Sequence, residues 1–216
     1  MPPPRPSPAA LATTAVASAL CIAGWLALAV GGGVAAAAIF PTARGLDLSM
    51  PEYARFLAAE PALGNAMVAG HLAEGVFELT ATLRVGAAAA TAVVVAGFVA
   101  VRGRRPATVL TLLALLAASG AMAAGVWWLQ PAFRAQDARY REAAKSGEVA
   151  TALERKAEVD AAHEAASRAA GTEALALLAL LGLVVAAAKP TPRRAPGGDD
   201  ATADSADHPD RESTRA

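Results

Sequence analysis

Four long apolar stretches constrain this chain more than any other feature of its sequence. Each holds about 20 residues or more, the length at which a helix rising about 1.5 Å per residue crosses about 30 Å of hydrocarbon. The stretches cover residues 11–40, 79–101, 107–129 and 169–188. They predict an all-α membrane protein whose four-transmembrane-helix bundle occupies 11–188, after a short N-terminal tail over 1–10.

Small side chains dominate the apolar stretches. Hydrophobic residues make up 55% of the chain but aromatic residues only 5%, so the excess is Ala, Leu, Val and Gly. Small residues let transmembrane helices approach one another closely. We therefore expect Gly31, Gly32 and Gly33 to form a flat seam for a neighbouring helix rather than a hinge, and we expect Phe40-Pro41 to end the first helix.

The N-terminal stretch is predicted to be a retained first helix. At residues 11–40, this stretch is at least twice as long as the apolar core of a secretory signal peptide, which spans about 7–15 residues. The chain contains one cysteine, Cys21, which excludes an intrachain disulfide and a cysteine-based metal cluster.

The placement of charge predicts the orientation. The 19 basic and 19 acidic residues give no net charge, so composition makes no case for nucleic-acid binding. Four crossings put three segments on the same side, and all three are basic: Arg5, then Arg102, Arg104 and Arg105, then Lys189, Arg193 and Arg194. Lys and Arg near helix ends favour the cytoplasmic side. The protein is therefore predicted in the cell inner membrane, multi-pass, N-in and C-in.

The first outer loop is predicted to contain a short helix. Ser49, Pro51 and Glu52 have the spacing of a capping box with proline in the first helical turn. The following residues would place Met50, Tyr53, Phe56 and Leu57 on one side. This helix could lie in the outer membrane interface or pack against the bundle, and the sequence does not choose between the two.

The third and fourth helices are predicted to extend outside the membrane as a helical hairpin over 130–168. Trp127 and Trp128 mark the outer interface, where indole rings are favoured. A charged, Ala-rich helix continues to about Lys145, and Ser146-Gly147 is a credible turn into the return helix. The tail over 189–216 is polar and acidic towards its end, and it is predicted to be disordered.

The strongest candidate for chemistry is a face of acidic and histidine side chains. His71, Glu74 and Glu78 share one side of a helix, and His163 falls at a similar height on the fourth helix. Imidazole and carboxylate ligands suit Zn²⁺, Mn²⁺ or Fe²⁺, and scattered Met side chains add weak support for copper. The alternative, which we favour, is a solvated or ion-paired face.

A second pair of charged residues lies deeper. Arg84 and Glu173 fall at the same height when counted from the cytoplasmic ends of their helices. A lone charge near hydrocarbon is costly, so they are predicted to form a structural ion pair between the second and fourth transmembrane helices.

No nucleophile motif, zinc-protease motif, CxxC or P-loop is present in the sequence. The predicted function is therefore that of a non-enzymatic interaction or accessory protein with no cofactor. Its partners would be the lipid bilayer and either a second copy of the chain or another membrane protein, with no nucleic acid. A metal-handling or transport component is the alternative, and a membrane enzyme with bound metal or haem ranks third.

The order of these features resembles the four-helix membrane family called domain of unknown function 4149, which includes the transmembrane protein 205-like proteins. The resemblance rests on Gly31 to Gly33 followed by Phe40-Pro41, on Ala69-Gly70 followed by Phe77, and on His163 followed by Ser167 before the last apolar helix. It spans about 25–185. It implies four helices and draws attention to His163, but it implies no established reaction.

Overall fold

The four apolar stretches form helices that continue beyond the predicted spans. The computed structural model describes residues 7–45, 50–103 and 105–188, and these ranges contain no strand. The helices are α1 (Pro8–Gly45), α2 (Ala54–Ala59), α3 (Gly64–Arg102), α4 (Pro106–Ala124), α5 (Gln130–Ser146) and α6 (Val149–Ala188). In the described ranges, four helical segments are long and apolar enough to cross a membrane. This confirms an all-α, four-helix membrane architecture.

Short irregular helices complete the chain between the long ones. Single 3₁₀ turns at Pro51–Tyr53 and Pro61–Leu63 flank α2, and a π-helical segment, Gly125–Leu129, joins α4 to α5. Pro51 and Pro61 each stand in the first turn of their helix, where the missing N–H costs nothing. The predicted cap Ser49, the basic residues Arg5, Arg104, Lys189, Arg193 and Arg194, and the predicted tail over 189–216 lie outside the described residues.

Helices α1 and α6 form the centre of the bundle. α1 packs along α3 and α6, and α6 packs along α4 and α5, whereas the consecutive helices α3 and α4 contact each other little. The buried core is contributed by all four long helices, and its largest fully buried side chains include Trp25, Phe98 and Leu177. Many other large apolar side chains are exposed, as expected of helices that present one face to lipid.

Only one glycine of the predicted seam meets a neighbour. A Cβ added at Gly32 would lie 3.3 Å from two ring carbons of Phe77 on α3, whereas Gly31 and Gly33 face open space. The seam is therefore a single close approach between α1 and α3. The Phe77 ring occupies the space that a side chain at residue 32 would need.

The prediction that Phe40-Pro41 ends the first helix is wrong. α1 continues through Pro41 to Gly45. Proline removes one backbone donor and disfavours the helical conformation of the residue before it, but it can bend a helix without ending it. The Thr42 hydroxyl donates to the Ala38 carbonyl at 2.8 Å, one turn back, across this point.

A second proline explains the π-helical segment. Pro131 has no N–H to donate to the carbonyl four residues earlier, and its ring would clash with that carbonyl. A π-helical turn accommodates one extra residue before the proline and so relieves the clash. Such π-helical segments are frequently found at functional sites. The segment carries Trp127 and Trp128, which are 58% and 68% exposed.

The turn between α5 and α6 is a Schellman motif. The N–H of Gly147 donates to the Ala144 carbonyl at 3.2 Å, and the N–H of Glu148 donates to the Ala143 carbonyl at 3.1 Å. Gly147 has φ +77°, in the left-handed region that favours glycine, and a Cβ there would lie 3.2 Å from the side chain of Arg55. α5 and the first half of α6 pack against each other as a helical hairpin. The end of the bundle that carries this turn is called the hairpin end below.

Candidate functional site

A fully buried carboxylate joins three helices inside the apolar bundle. Glu173 on α6 is 0% exposed, and Arg84 on α3 forms an ion pair with it through Nη2 and Oε2. The Arg84 Nε also donates to Glu173 Oε1 at 3.3 Å, and the indole Nε1 of Trp25 on α1 donates to the same oxygen at 2.8 Å. The structure thus brings the predicted pair together and adds a third residue.

In the triad of Trp25, Arg84 and Glu173, the negative charge of Glu173 is already paired and hydrogen-bonded. Glu173 lies about 22 Å along the helix from Ala188, at the 1.5 Å rise per residue, inside a segment with no other charge. Its carboxylate accepts three hydrogen bonds, and two of them come from a cation. Three hydrogen bonds leave this carboxylate little acceptor capacity for a substrate.

Trp25 was not predicted as a partner of the pair. An indole is mainly apolar, so a tryptophan in an apolar stretch reads as core packing or as an interface residue. Its N–H nevertheless usually finds a partner when buried. One sequence signal could have identified Trp25 as a partner. It is a tryptophan within a membrane span, where two other spans carry residues predicted to form an ion pair.

The histidine and glutamate face of α3 meets arginines of α5. Arg141 Nη1 lies 3.1 Å from His71 Nε2 and 3.2 Å from Glu74 Oε2, and its Nη2 lies 2.6 Å from Asp137 Oδ2. His71 Nδ1 lies 3.1 Å from the Met67 carbonyl. Arg141 brings a positive charge to this face and pairs with the carboxylates of Glu74 and Asp137.

The four predicted metal ligands are not gathered around one point. Glu78 pairs with Arg134 at 3.0 Å rather than joining His71, and the His163 ring packs against Phe133 with centroids 6.1 Å apart. Within the described ranges, no group of three or more His, Cys, Asp or Glu side chains could hold a metal ion. Equal height on two helices does not fix which way each side chain points, and α5 brings its own cations to the acidic face.

We expect the purified protein to hold no stoichiometric metal that depends on His163. Elemental analysis and an absorbance spectrum of the detergent-purified protein, compared with His163→Ala, test this directly. Metal content and spectrum should be the same in both proteins, because His163 packs against Phe133 and belongs to no group of three or more possible ligands among the described residues. A metal or haem band that disappears in His163→Ala would contradict the ion-paired interpretation and restore the metal site.

Aromatic side chains fasten the first loop to the hairpin. Tyr53 and Phe56 are both 0% exposed, and the Phe56 ring meets Tyr140 of α5 edge to face with centroids 6.0 Å apart. Ala144 and Ala152, on the two arms of the hairpin, are also fully buried. We call Tyr53, Phe56, Met67, Tyr140, Ala143, Ala144 and Ala152 the hairpin-end cluster. Of the two alternatives predicted for the loop helix, the structure shows packing against the protein.

The hairpin-end cluster also buries a phenol. Lys145 Nζ lies 5.5 Å from the centroid of the Tyr53 ring, within the range of a cation–π contact. Burial raises the pKa of Tyr53 above its ordinary value, with the nearby Lys145 charge acting in the opposite direction. The phenol is therefore a neutral group that anchors the loop by packing.

These features define a multi-pass α-helical membrane protein, with four apolar helices and a charged pair buried between them. No family model, no curated protein and no solved structure matches this chain.

Proposed function

We propose that the protein is a non-enzymatic accessory protein of the cell inner membrane, and that it presents a fixed helical surface to a partner protein. The observation that carries this proposal is the hairpin-end cluster, in which a loop between two spans is locked onto the hairpin by buried aromatic rings. A surface that is already ordered loses little conformational entropy on binding. Such a surface suits protein recognition.

The proposal places the hairpin in water outside the membrane. Pro106–Ala124 and the last 15 residues of α6 carry no charge, whereas α5 alone carries six charged residues. The first half of α6 has ion pairs at helical spacing, Arg155 with Glu158, Lys156 with Asp160 and Glu164 with Arg168. Charged residues paired along one helix face are typical of helices that face solvent. The 17 residues of α5 would project by about 25 Å.

The proposed orientation is N-in and C-in, with the hairpin outside. The N-terminus of α1, the α3–α4 connection and the C-terminus of α6 meet at the end of the bundle opposite the hairpin. Arg102 and Arg105 belong to that connection. Basic residues favour the cytoplasmic side, so the hairpin end faces away from the cytoplasm.

Membership in the domain of unknown function 4149 family is part of the same proposal. Its support is the spacing of the short motifs together with one contact. Gly32 and Phe77, which belong to two of those motifs, meet at the close approach of α1 and α3. Metal handling remains a prediction, and no contact in the described residues favours it.

The proposal predicts that the hairpin, and not the lipid-facing helices, touches another protein in cells. A photo-crosslinking amino acid placed at the exposed positions Arg139, Glu142 or Glu154 should give a discrete protein adduct. The same probe at Leu116 or Leu175, which are 67% and 69% exposed on the spans, should give none. An adduct with a second copy of the chain would identify the partner as a homo-oligomer.

Two controls make this result interpretable. In a Cys21→Ser background, Glu148→Cys at the hairpin turn should react with an impermeant maleimide in intact cells, and Ala188→Cys should react only after lysis. Adding Phe56→Ala should weaken the adduct, because the cluster no longer fixes the surface. Equal adducts from hairpin and span positions, or none from the hairpin, would contradict the proposal.

A further inference from the structure

Helix α3 on one side, and the π-helical segment with the start of α5 on the other, leave an open groove between them towards the hairpin end. The groove has a volume of about 540 Å³ and is open at the surface. Val85 on α3 and Val126 in the π-helical segment line it, and Glu78, Gln130 and Arg134 add polar groups. It exists because the backbone of α3 packs along α1 and that of α5 packs along α6, rather than on each other.

The groove carries one charge of each sign. Arg134 Nη1 lies 3.0 Å from Glu78 Oε1, and the two side chains are 48% and 53% exposed. A guanidinium has five N–H donors and a carboxylate has about four acceptor positions, so one ion pair uses only part of their capacity. Both groups remain able to bind a ligand that brings a cation and an anion close together.

The position of the groove along the bundle matches a lipid headgroup boundary. Glu78 lies about 36 Å along α3 from Arg102, slightly more than the hydrocarbon thickness of about 30 Å. Val85 lies about 10 Å deeper on the same helix rise. Trp127 and Trp128, exposed on the π-helical segment, mark the same boundary because indole rings favour the interface. The charges therefore sit at headgroup level and the valines at acyl-chain level.

We propose that this groove binds one membrane phospholipid with an ethanolamine headgroup. The phosphate accepts hydrogen bonds from Arg134, the ammonium donates to Glu78, and one acyl chain lies along Val85 and Val126. A glycerol headgroup lacks the cation that Glu78 attracts, and a choline headgroup has no N–H to donate. The inference goes beyond the proposed partner-binding function, and it rests on the proposed placement of the hairpin outside the membrane.

The test is native mass spectrometry of the full chain in detergent, with lipids of identical acyl chains. The wild type should retain one phosphatidylethanolamine, at least about tenfold more strongly than phosphatidylglycerol or phosphatidylcholine, the factor expected for one hydrogen bond to a charged group. Glu78→Gln should remove this preference. Arg134→Gln should weaken both phosphatidylethanolamine and phosphatidylglycerol, and Val126→Trp should fill the groove and abolish retention.

Arg139→Gln is the matched control, since Arg139 is exposed on α5 and does not line the groove. It should bind lipid like the wild type. Equal retention of the three lipids, or retention unchanged by all three groove variants, would overturn the proposal. Displacement of the lipid by inorganic phosphate alone would also overturn it. So would a disulfide-linked dimer that forms through Thr82→Cys in a Cys21→Ser background and excludes lipid. If Val126→Trp does not fold, Glu78→Gln decides, because losing an exposed ion pair leaves the bundle intact.

Discussion

Glu173→Ala is expected to destabilise the bundle by about 3–5 kcal/mol, because it leaves Arg84 without its carboxylate inside an apolar environment. Arg84 is 16% exposed and Glu173 fully buried, so water cannot take over the lost interaction. The loss should appear as a lower midpoint of thermal unfolding, measured by circular dichroism in detergent. Trp25→Phe should cost less, about 1.5–3 kcal/mol, because it removes only one hydrogen bond to a charged group.

A double variant separates the pair from simple packing. Replacing both partners of a buried ion pair by apolar residues of similar size is often neutral or stabilising. Arg84→Met with Glu173→Met should therefore recover most of the stability that Glu173→Ala loses. Leu175→Ala, at a 69% exposed position two residues away, controls for loss of apolar volume on the same helix. A Glu173→Ala protein that unfolds at the wild-type temperature would show that the pair does not hold the helices together.

Phe56→Ala is expected to release the first loop from the hairpin. Truncating a fully buried phenylalanine costs about 3–5 kcal/mol, and here the loss falls on a small cluster outside the main core. Amide hydrogen exchange should rise across 51–60 and across the hairpin turn. Exchange in the membrane core around Leu177 and Val184 should remain slow, since those residues belong to a separate buried cluster.

Two neighbouring variants provide the comparison. Tyr53→Phe keeps the ring and removes only the hydroxyl, so the loop should stay protected. Ala58→Ser changes an exposed position of α2 and should have no effect. If Phe56→Ala unfolds the whole protein in one step, the hairpin-end cluster and the membrane core form one cooperative unit, and the proposed local release is wrong.

The sequence predicted the helices well because length and hydropathy decide membrane helices almost alone. A return helix was expected after the Ser146-Gly147 turn and through the apolar stretch 169–188, and it is observed at Val149–Ala188. The continuation of α1 through Pro41 was missed because proline's effect depends on whether neighbouring helices support the chain beyond it. The π-helical segment was missed because its cause, Pro131, follows the apolar stretch and does not interrupt it.

The buried ion pair of the candidate site could be predicted because an unpaired charge in an apolar environment has a high free-energy cost. A charge such as Arg84 inside an apolar bundle needs a partner, and only Glu173 lay at its height, so counting residues was enough to predict the pair. The predicted metal face lies where charges cost little; its residues are His71, Glu74, Glu78 and His163. Equal height along two helices therefore did not determine which of these side chains meet. The arginines of α5 that meet this face could not be assigned before the packing angle of the hairpin was known.

The wide separation of Arg84 and Glu173 along the chain has a consequence for biosynthesis. The two residues are 89 positions apart, so at about 5–20 residues per second the ribosome needs about 4–18 seconds to add the second after the first. During insertion in chain order, α3 enters the membrane with an unneutralised guanidinium and must wait for α6. The long Arg84 side chain can reach towards the headgroups in that interval. The ion pair between α3 and α6 therefore forms only after the last helix has been inserted.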